Sequence, residues 1–483
     1  MAEASRIPME LLAPAGGMDQ LRAAVRFGAD AVYLATDRFG MRARAANFAL
    51  AELPEAVRVA HDAGVRVHVA CNVLMGPDDI DALPAYLRAV QDADADALII
   101  GDLGAAALAR EHAPLVELHV STQASVANAA AARVWHALGA KRVVCAREMS
   151  LADIARLRQD TPPDLEIEAF AHGAMCMAVS GRCLISSYLT GRSGNRGHCT
   201  QPCRWSYALG TAPDAGERPA GFLLEEEKRP GEFIPIEEDG RGTFIMNAKD
   251  LNMLAHLREL ADAGVDSIKV EGRNKKAFYV ATVTAAYRRV LDGEPPEAVA
   301  DELLAVSHRP YGTGFYFGEA EQAPDYDGYE QETRHVADVL ACEELAAGEG
   351  AEAVRPASAA EGAEAGGAGI AAADAPVEDA GAAAGAPDAD AAERRWRLTV
   401  RCRTRFAERD ALEALVPRAP ARALEVRDLT WLPEPDADDS APPPVPVAVA
   451  NRSCARYTLT TTCPVPPGSF LRVRAFRRSA RHG

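Results

Sequence analysis

Four of the ten cysteines stand in one stretch, Glu166 to Tyr207: Cys176, Cys183, Cys199 and Cys203, spaced C-x6-C-x15-C-x3-C. Thiols this dense point to one metal centre. A structural zinc site draws its ligands from tight knuckles of two to four intervening residues, a form that the wide first gap lacks. An iron–sulfur cluster offers separate corners that thiolates on irregular loops can reach, so the spacing ranks a cluster ahead of zinc and of buried or redox thiols. Cysteine-only ligation of a 4Fe-4S cluster would fill every iron site, which favours electron transfer or a structural role over substrate binding at iron. His172, shortly before Cys176, can act as acid or base or hydrogen-bond a cluster sulfur; a buried structural histidine is the competing reading. His172 and Cys176 also supply the residue types of a cysteine peptidase, which leaves three cysteines without a role. A metallopeptidase would want an H-E-x-x-H pair, and the sequence has none.

These residues need a scaffold, and the first half of the chain spells one out. Short apolar strands alternate with Ala/Leu/Arg-rich amphipathic helices in units of βα type. Seven strands are predicted before the cysteine loop: Glu10–Ala13, Ala31–Leu34, Val65–Cys71, Ala97–Ile100, Glu117–Ser121, Arg142–Cys145 and Leu165–Phe170. An eighth, Ser267–Glu271, comes after a long insertion and a helix predicted over Leu251–Ala263. Eight parallel strands with helical crossovers close a TIM-type (β/α)8 barrel, whose chemistry sits at the C-terminal strand ends. That mouth should gather Asn72, Ser121, Thr122, Gln123, Arg147, Glu148, His172 and Glu271. It should also gather three basic loops, Arg38/Arg42/Arg44, Arg192/Arg196/Arg204 and Arg273/Lys275/Lys276. Helix capping and ordinary solvation compete for each of these residues taken singly.

Composition bounds the rest. The 483 residues suit two domains and a linker, with the barrel at 8–318 and its cysteine loop at 172–207. No run of about 18 apolar residues occurs and the N-terminus lacks signal-peptide character, so a cytoplasmic protein without a membrane partner is expected. In a reducing compartment the cysteines are metal ligands or ordinary core, as Cys71 and Cys145 are expected to be. The formal net charge of −18 looks hostile to a polyanionic partner. Between Glu343 and Glu393, however, twelve acidic residues face the single Arg355, a net of −11 that leaves −7 for the remaining chain.

That acidic Ala/Gly-rich segment, 343–393, cannot bury enough surface to fold and is expected to be a disordered linker. Around it, 330–342 and 394–478 alternate apolar and polar residues like strands of a small C-terminal antiparallel β-barrel. Its arginines Arg397, Arg401, Arg403 and Arg405 give one face a basic character that suits an accessory RNA-binding surface, or merely a solvated one. Before the linker, HRPYGTGFYFG (His308–Gly318) brings aromatics beside basic residues; Tyr311 and Tyr316 are candidates for stacking on unpaired bases, with core packing the role expected of Phe315.

The stretch Glu168, Phe170, His172, Gly173, Cys176, Cys183 resembles the E-x-F-x-H-G-x-x-C-x6-C signature of the peptidase U32 family, the collagenase-like peptidases. Ser180–Cys183, Ser186, Tyr188 and Gly197–Trp205 resemble its continuation, as do ELLAPAG (Glu10–Gly16), GADAVY (Gly28–Tyr33), MNAKDL (Met246–Leu251) and KVEGR (Lys269–Arg273). The resemblance runs from Glu10 to about Tyr316 and is nearest to the branch that hydroxylates the wobble uridine of tRNA without molecular oxygen. It implies a 4Fe-4S cluster on Cys176, Cys183, Cys199 and Cys203, prephenate as a co-substrate of the pathway, and tRNA and an electron donor as partners. Catalytic roles then fall to His172, Glu168, Lys249, Glu271 and Arg273. Substrate contacts fall to Arg42, Arg44, Gln123, Arg147, Arg192, Arg196, Arg204 and Tyr311. Sister branches hydroxylate a ribosomal RNA cytidine or quinone precursors, and proteolysis is the rival reading. The oligomeric state is not readable from the sequence.

Overall fold

The computed structural model describes residues 6–40, 47–175, 186, 190, 192, 198–205, 207–211, 222–226, 230, 233–236, 249–318, 329–346, 394–434 and 442–474. Two compact units result, one centred on Met1–Arg334 and the other on His335–Val416 with Ala421–Arg474.

In the first unit, β1 (Glu10–Pro14), β2 (Ala31–Leu34), β3 (Arg66–Cys71), β4 (Ala97–Ile100), β5 (Glu117–Val120), β6 (Ala140–Val144) and β7 (Glu166–Ala174) pair in sequence order, all in parallel. Strands such as AVYL and ALII are buried at every residue, as parallel strands covered by helices must be. The helices between them are α1 (Met18–Arg26), α2 (Leu53–His61), α3 (Pro77–Asp92), α4 (Leu103–His112), α5 (Ala129–Ala137) and α6 (Leu151–Gln159). Short polar side chains start three of them: Asp102 accepts from the Ala105 N–H at 2.9 Å, Asn128 from Ala131 at 2.9 Å and Ser150 from Asp153 at 3.2 Å.

Between β7 and the last barrel strand lies an excursion: β8 (Tyr207–Thr211), β9 (Phe222–Glu226), β10 (Phe233–Ile236) and β11 (Asp250–Asn252). The first three form a small antiparallel sheet, whereas β11 adds antiparallel to the end of β7. The helix expected over Leu251–Ala263 is therefore shorter, because β11 and a 3-10 turn precede α7 (Leu257–Asp262). β12 (Ser267–Val270) then pairs parallel with both β1 and β7 and closes an eight-stranded barrel, as expected. α8 (Ala277–Leu291) packs against α1 and β1, and β13 (Tyr311–Gly312) adds parallel to β11.

The second unit comprises β14 (Thr333–Leu345), β15 (Arg395–Cys402), β16 (Phe406–Ala407), β17 (Leu412–Leu415), β18 (Arg422–Leu424), β19 (Val426–Leu432), β20 (Val445–Pro446), β21 (Val449–Ala450), β22 (Arg456–Thr461) and β23 (Phe470–Arg474). Eight of them form an antiparallel sheet in the order β18-β17-β23-β14-β15-β22-β19-β20, and β16 pairs with β21. The antiparallel architecture agrees with the alternation in sequence. Among the described residues the terminal strands β18 and β20 do not pair, so the sheet stays open where a closed barrel was expected. Val400, Cys402, Tyr457, Leu459 and Leu471 are among its buried residues. Residues 347–393, most of the acidic segment, lie outside the described residues.

Candidate active site

The lumen of the barrel carries a charged layer. Strand alternation turns Glu10, Arg142, Glu168 and Lys269 inward, and all are buried or nearly so. Lys269 Nζ lies 2.8 Å from Glu168 Oε1, and Arg142 Nη1 lies 3.0 Å from Glu168 Oε2. Arg142 also reaches Glu10 at 2.6 Å and Glu166 at 2.6 Å. Glu10 further accepts from Ser267 Oγ at 2.8 Å and pairs with Arg66. Burial pushes the Glu168 carboxyl up, but Lys269 and Arg142 outweigh it and hold the group below its usual value. Glu168 is thus an ionised carboxylate with both oxygens engaged, and a proton on it would break two buried pairs. The Lys269 ammonium also sits 4.4 Å above the Tyr33 ring centre. Beside this layer His68 and His119 meet edge to face at 4.7 Å, both driven towards neutrality first by burial.

Two groups of the expected residues meet at the C-terminal strand ends, Arg147 with Glu271 and Asn72 with Ser121 and Gln123. Arg147, just beyond β6, donates from Nη2 to Glu271 Oε2 at 2.8 Å and from Nη1 to the Ala174 carbonyl at 2.9 Å. Its guanidinium lies 3.8 Å from the centre of the Phe170 ring. Arg273 is buried, and its carbonyl stands 2.0 Å from where a Cβ on Gly16 would be. Any side chain at Gly16, within the ELLAPAG segment, would push that loop away. Asn72 donates to Ser121 Oγ at 3.2 Å, and that oxygen also accepts from the Gln123 N–H at 3.2 Å. Thr122 instead donates to the Cys145 carbonyl at 3.1 Å. Gln123 is half-buried beside Gly101, on the rim between β4 and β5.

His172 is placed elsewhere. A register shift between Lys269 and Val270 pairs His172 with Val270, whereas Phe170 pairs with the inward Lys269. A one-residue irregularity reverses the facing of the residues beyond it, and His172 turns towards α8. Its ring packs 6.2 Å from Tyr279, 5.5 Å from Tyr287 and 5.5 Å from Tyr311, with Nδ1 3.3 Å from the Tyr287 hydroxyl. Burial, ahead of His308 and Lys275, holds its pKa down at about 3. The next residue, Gly173, has φ +103° and lies 2.6 Å, measured from an ideal Cβ, from the Glu271 carbonyl, so only glycine fits the irregularity.

Tyr311 belongs to the same aromatic cage. It stacks on His308 at 4.3 Å and donates to the Leu303 carbonyl at 3.1 Å. Tyr316 is buried with its hydroxyl on the Phe170 carbonyl, a correction to the stacking role expected of it. Phe317 stands exposed, and so does Tyr329, with Lys275 at 5.3 Å and Arg309 at 5.4 Å from its ring centre. Nothing local in the sequence singles it out; only the fold brings those cations to it. Lys249, half-buried, runs along Gly312 at the β11–β13 pair.

Of the four clustered cysteines, Cys199 and Cys203 are described and both are half-buried. Gln201 turns left-handed at φ 56° and donates its N–H to Cys199 Sγ at 3.4 Å. Thr200 is pinned by Ser186 Oγ at 3.0 Å, and the Trp205 indole donates to the Thr200 carbonyl at 3.1 Å. A backbone N–H aimed at sulfur is what a ligating thiolate receives from its loop. Cys71 and Cys145 are the opposite case: both are fully buried, burial pushes both thiols up, that of Cys145 to about 12, and they are core as expected. Arg192 is exposed. Cys176, Cys183, Arg42, Arg44, Arg196 and Asn247 lie outside the described residues, as does the side chain of Arg204.

Comparison with known proteins widens the frame. The tRNA hydroxylation protein P of Escherichia coli is 37% identical over 350 residues, covering 66% of this chain and 77% of that protein. A 23S rRNA 5-hydroxycytidine synthase of the same organism is 37% identical over 284 residues, covering 59% of this chain and 39% of that protein. A collagenase of Porphyromonas gingivalis is 32% identical over 328 residues, covering 64% of this chain and 74% of that protein. The sequence profile of peptidase family U32 matches residues 16–325, which span the barrel from its first loop to the Tyr316 turn. The chain is a member of peptidase family U32.

Proposed function

We propose that this chain is an iron–sulfur-dependent RNA hydroxylase that forms 5-hydroxyuridine at the wobble position of tRNA. The observation that carries the reading is the 37% identity to a tRNA hydroxylation protein along 77% of its length. Cys199, with its N–H···S bond and half-exposed thiol, fits a cluster ligand, and Cys176, Cys183 and Cys203 complete the set. A 4Fe-4S cluster held by these four thiolates would supply one-electron transfer.

The chain's own residues then bind and orient. Arg147, fixed by Glu271 and Phe170, presents a cation at the rim where an anionic co-substrate such as prephenate, or an RNA phosphate, can take over part of its pairing. Ser121 Oγ, itself buried, holds Asn72 and the Gln123 backbone at the rim, where the half-buried Asn72 and Gln123 side chains offer hydrogen bonds to a base edge. The layer of Glu168, Lys269 and Arg142 closes the lumen beneath and keeps water from entering by that end. Glu271 Oε2 holds the Arg147 guanidinium in place and is the acceptor nearest to it for a proton leaving the substrate.

Proteolysis, the activity for which one relative is named, finds less support. His172 is neutral, buried among tyrosines, and meets no described thiol, so it is poorly placed to activate a cysteine nucleophile. The test is to purify the chain without oxygen, count iron and sulfide, and digest tRNA from a hydroxylation-deficient host expressing it for nucleoside mass spectrometry. About four irons per chain and 5-hydroxyuridine, both lost in Cys199→Ala, are expected. A single tightly held zinc, or hydroxycytidine in ribosomal RNA instead, would overturn the reading.

A further inference from the structure

The second unit carries a sheet face on which four arginines close no ion pair among the described residues. On β15 the residues Arg397, Thr399 and Arg401 alternate with buried Leu398, Val400 and Cys402, so all three point to the outer face. β22 sets Thr460 opposite Arg397, Thr458 opposite Thr399 and Arg456 opposite Arg401. β19 extends the face with Arg427 beside Thr460 and Thr430 beside Thr458. The result is a row of threonines, Thr399, Thr458 and Thr430 half-buried and Thr460 buried with its hydroxyl on Asp428, with two arginines at each end.

Arg401, Arg427 and Arg456 are exposed and Arg397 is half-buried. Among the described residues none of the four makes an ion pair or a side-chain hydrogen bond. The acidic residues nearby do not change this. Asp338, opposite Arg401, is engaged by Arg403 Nε at 2.6 Å; Asp428 accepts from Thr460 at 2.7 Å; Glu343 stands opposite Arg397 without closing a pair. Arg401 and Arg456 are direct cross-strand partners, an arrangement of like charges that destabilises an isolated sheet. In a chain whose net charge is −18, four unpaired guanidiniums on one face call for an anionic occupant.

We infer that this face is a docking surface for the RNA backbone. The two arginine groups stand four residues apart on β15, about 13 Å at strand rise, enough to span several nucleotides of a chain charged every ~3.4 Å of helix axis. Guanidiniums bind phosphate oxygens in pairs, and the hydroxyls between them suit phosphates and ribose. Such contacts position RNA without reading its sequence. The inference rests on the reading of the chain as an RNA hydroxylase and adds a second, sequence-independent grip.

The test uses the full chain, an unmodified tRNA transcript and a salt series. The quadruple variant Arg397→Ala, Arg401→Ala, Arg427→Ala and Arg456→Ala should bind the transcript at least about ten-fold more weakly at 0.15 M salt, with the log–log salt slope lowered by about 2 to 4. The matching lysine variant should keep most of the slope. If the quadruple variant fails to fold, Arg401→Ala alone serves, since it removes a like-charge contact and should lower the slope by about 1. Unchanged affinity and slope would sink the surface while leaving hydroxylation by the wild type intact. Weakened binding to phosphatidylglycerol vesicles without change on tRNA would sink it too. A wild type that binds through this face but yields no hydroxylated nucleoside would instead keep the surface and overturn the hydroxylase reading.

Discussion

The barrel holds two arginine–glutamate pairs of nearly equal length in different settings. Arg142 and Glu168 meet at 3.0 Å with each side chain 1% exposed, whereas Arg147 and Glu271 meet at 2.8 Å with 13% and 16% exposed. The lower pair belongs to a closed network in which Lys269, Glu10 and Glu166 use the remaining donors and acceptors. The upper pair borders the strand ends, at the rim where barrel enzymes bind their substrates. Distance alone does not separate scaffold from site; burial does.

Breaking the lower network should have the largest effect. Glu168→Ala leaves Lys269 and Arg142 as buried cations sharing fewer partners, and should cost about 3 to 5 kcal/mol, read by urea unfolding. A loss under about 1 kcal/mol would mean that water reaches this layer and that it is not closed. At the rim the balance shifts. Arg147→Ala should cost less stability than Glu168→Ala, about 1 to 3 kcal/mol, but lower RNA hydroxylation by about a hundred-fold, the scale expected for misplaced substrate. Equal damage to folding and activity would erase the distinction between the two pairs.

The fold moves His172 from rim to wall. Its folded pKa of about 3 lies below the ordinary histidine value of 6.5, so the unfolded chain binds more protons between these pH values. Stability contributed by His172 is therefore complete above about pH 6.5 and is lost as pH falls towards 3, at up to about 1.4 kcal/mol per pH unit. The groups facing the ring are Tyr279 and Tyr287 of α8, Tyr311, His308 and Lys275. Replacing His172 by Gln should flatten the pH dependence of unfolding between about pH 4 and 6 by roughly that slope. A matching shift in the pH profile of hydroxylation near neutrality, with no change in unfolding, would return His172 to the chemistry.

Much of this architecture was legible because its signals are local. Apolar strands and amphipathic helices repeat within windows of about ten residues, which is why the eight barrel strands stand where their patterns lie. The mouth residues Arg147, Glu271, Asn72 and Ser121 were legible for the same reason, since position at a strand end is set by the strand. The interior charge layer had a weaker signal: Glu10, Arg142, Glu168 and Lys269 stand in strands rich in apolar residues, beside other polar residues such as Lys141, Glu166 and Ser267 that the pattern does not separate from them. What escaped was facing. Glu168 and His172 lie four residues apart on one strand, yet one points into the lumen and the other to α8. The small strands β8 to β11 escaped as well, because three- to five-residue segments amid charged loops carry too little periodicity.

The amino-acid order alone determined the class of fold, the dense cysteine spacing and the family signature, since each is written in residue type and interval. Tertiary structure decided which charges neutralise one another and which remain at a surface. A register shift between β7 and β12 turned His172 outward, and cross-strand pairing set Arg401 against Arg456. Both outcomes depend on a partner strand distant along the chain, and no local pattern records which neighbour a side chain will meet.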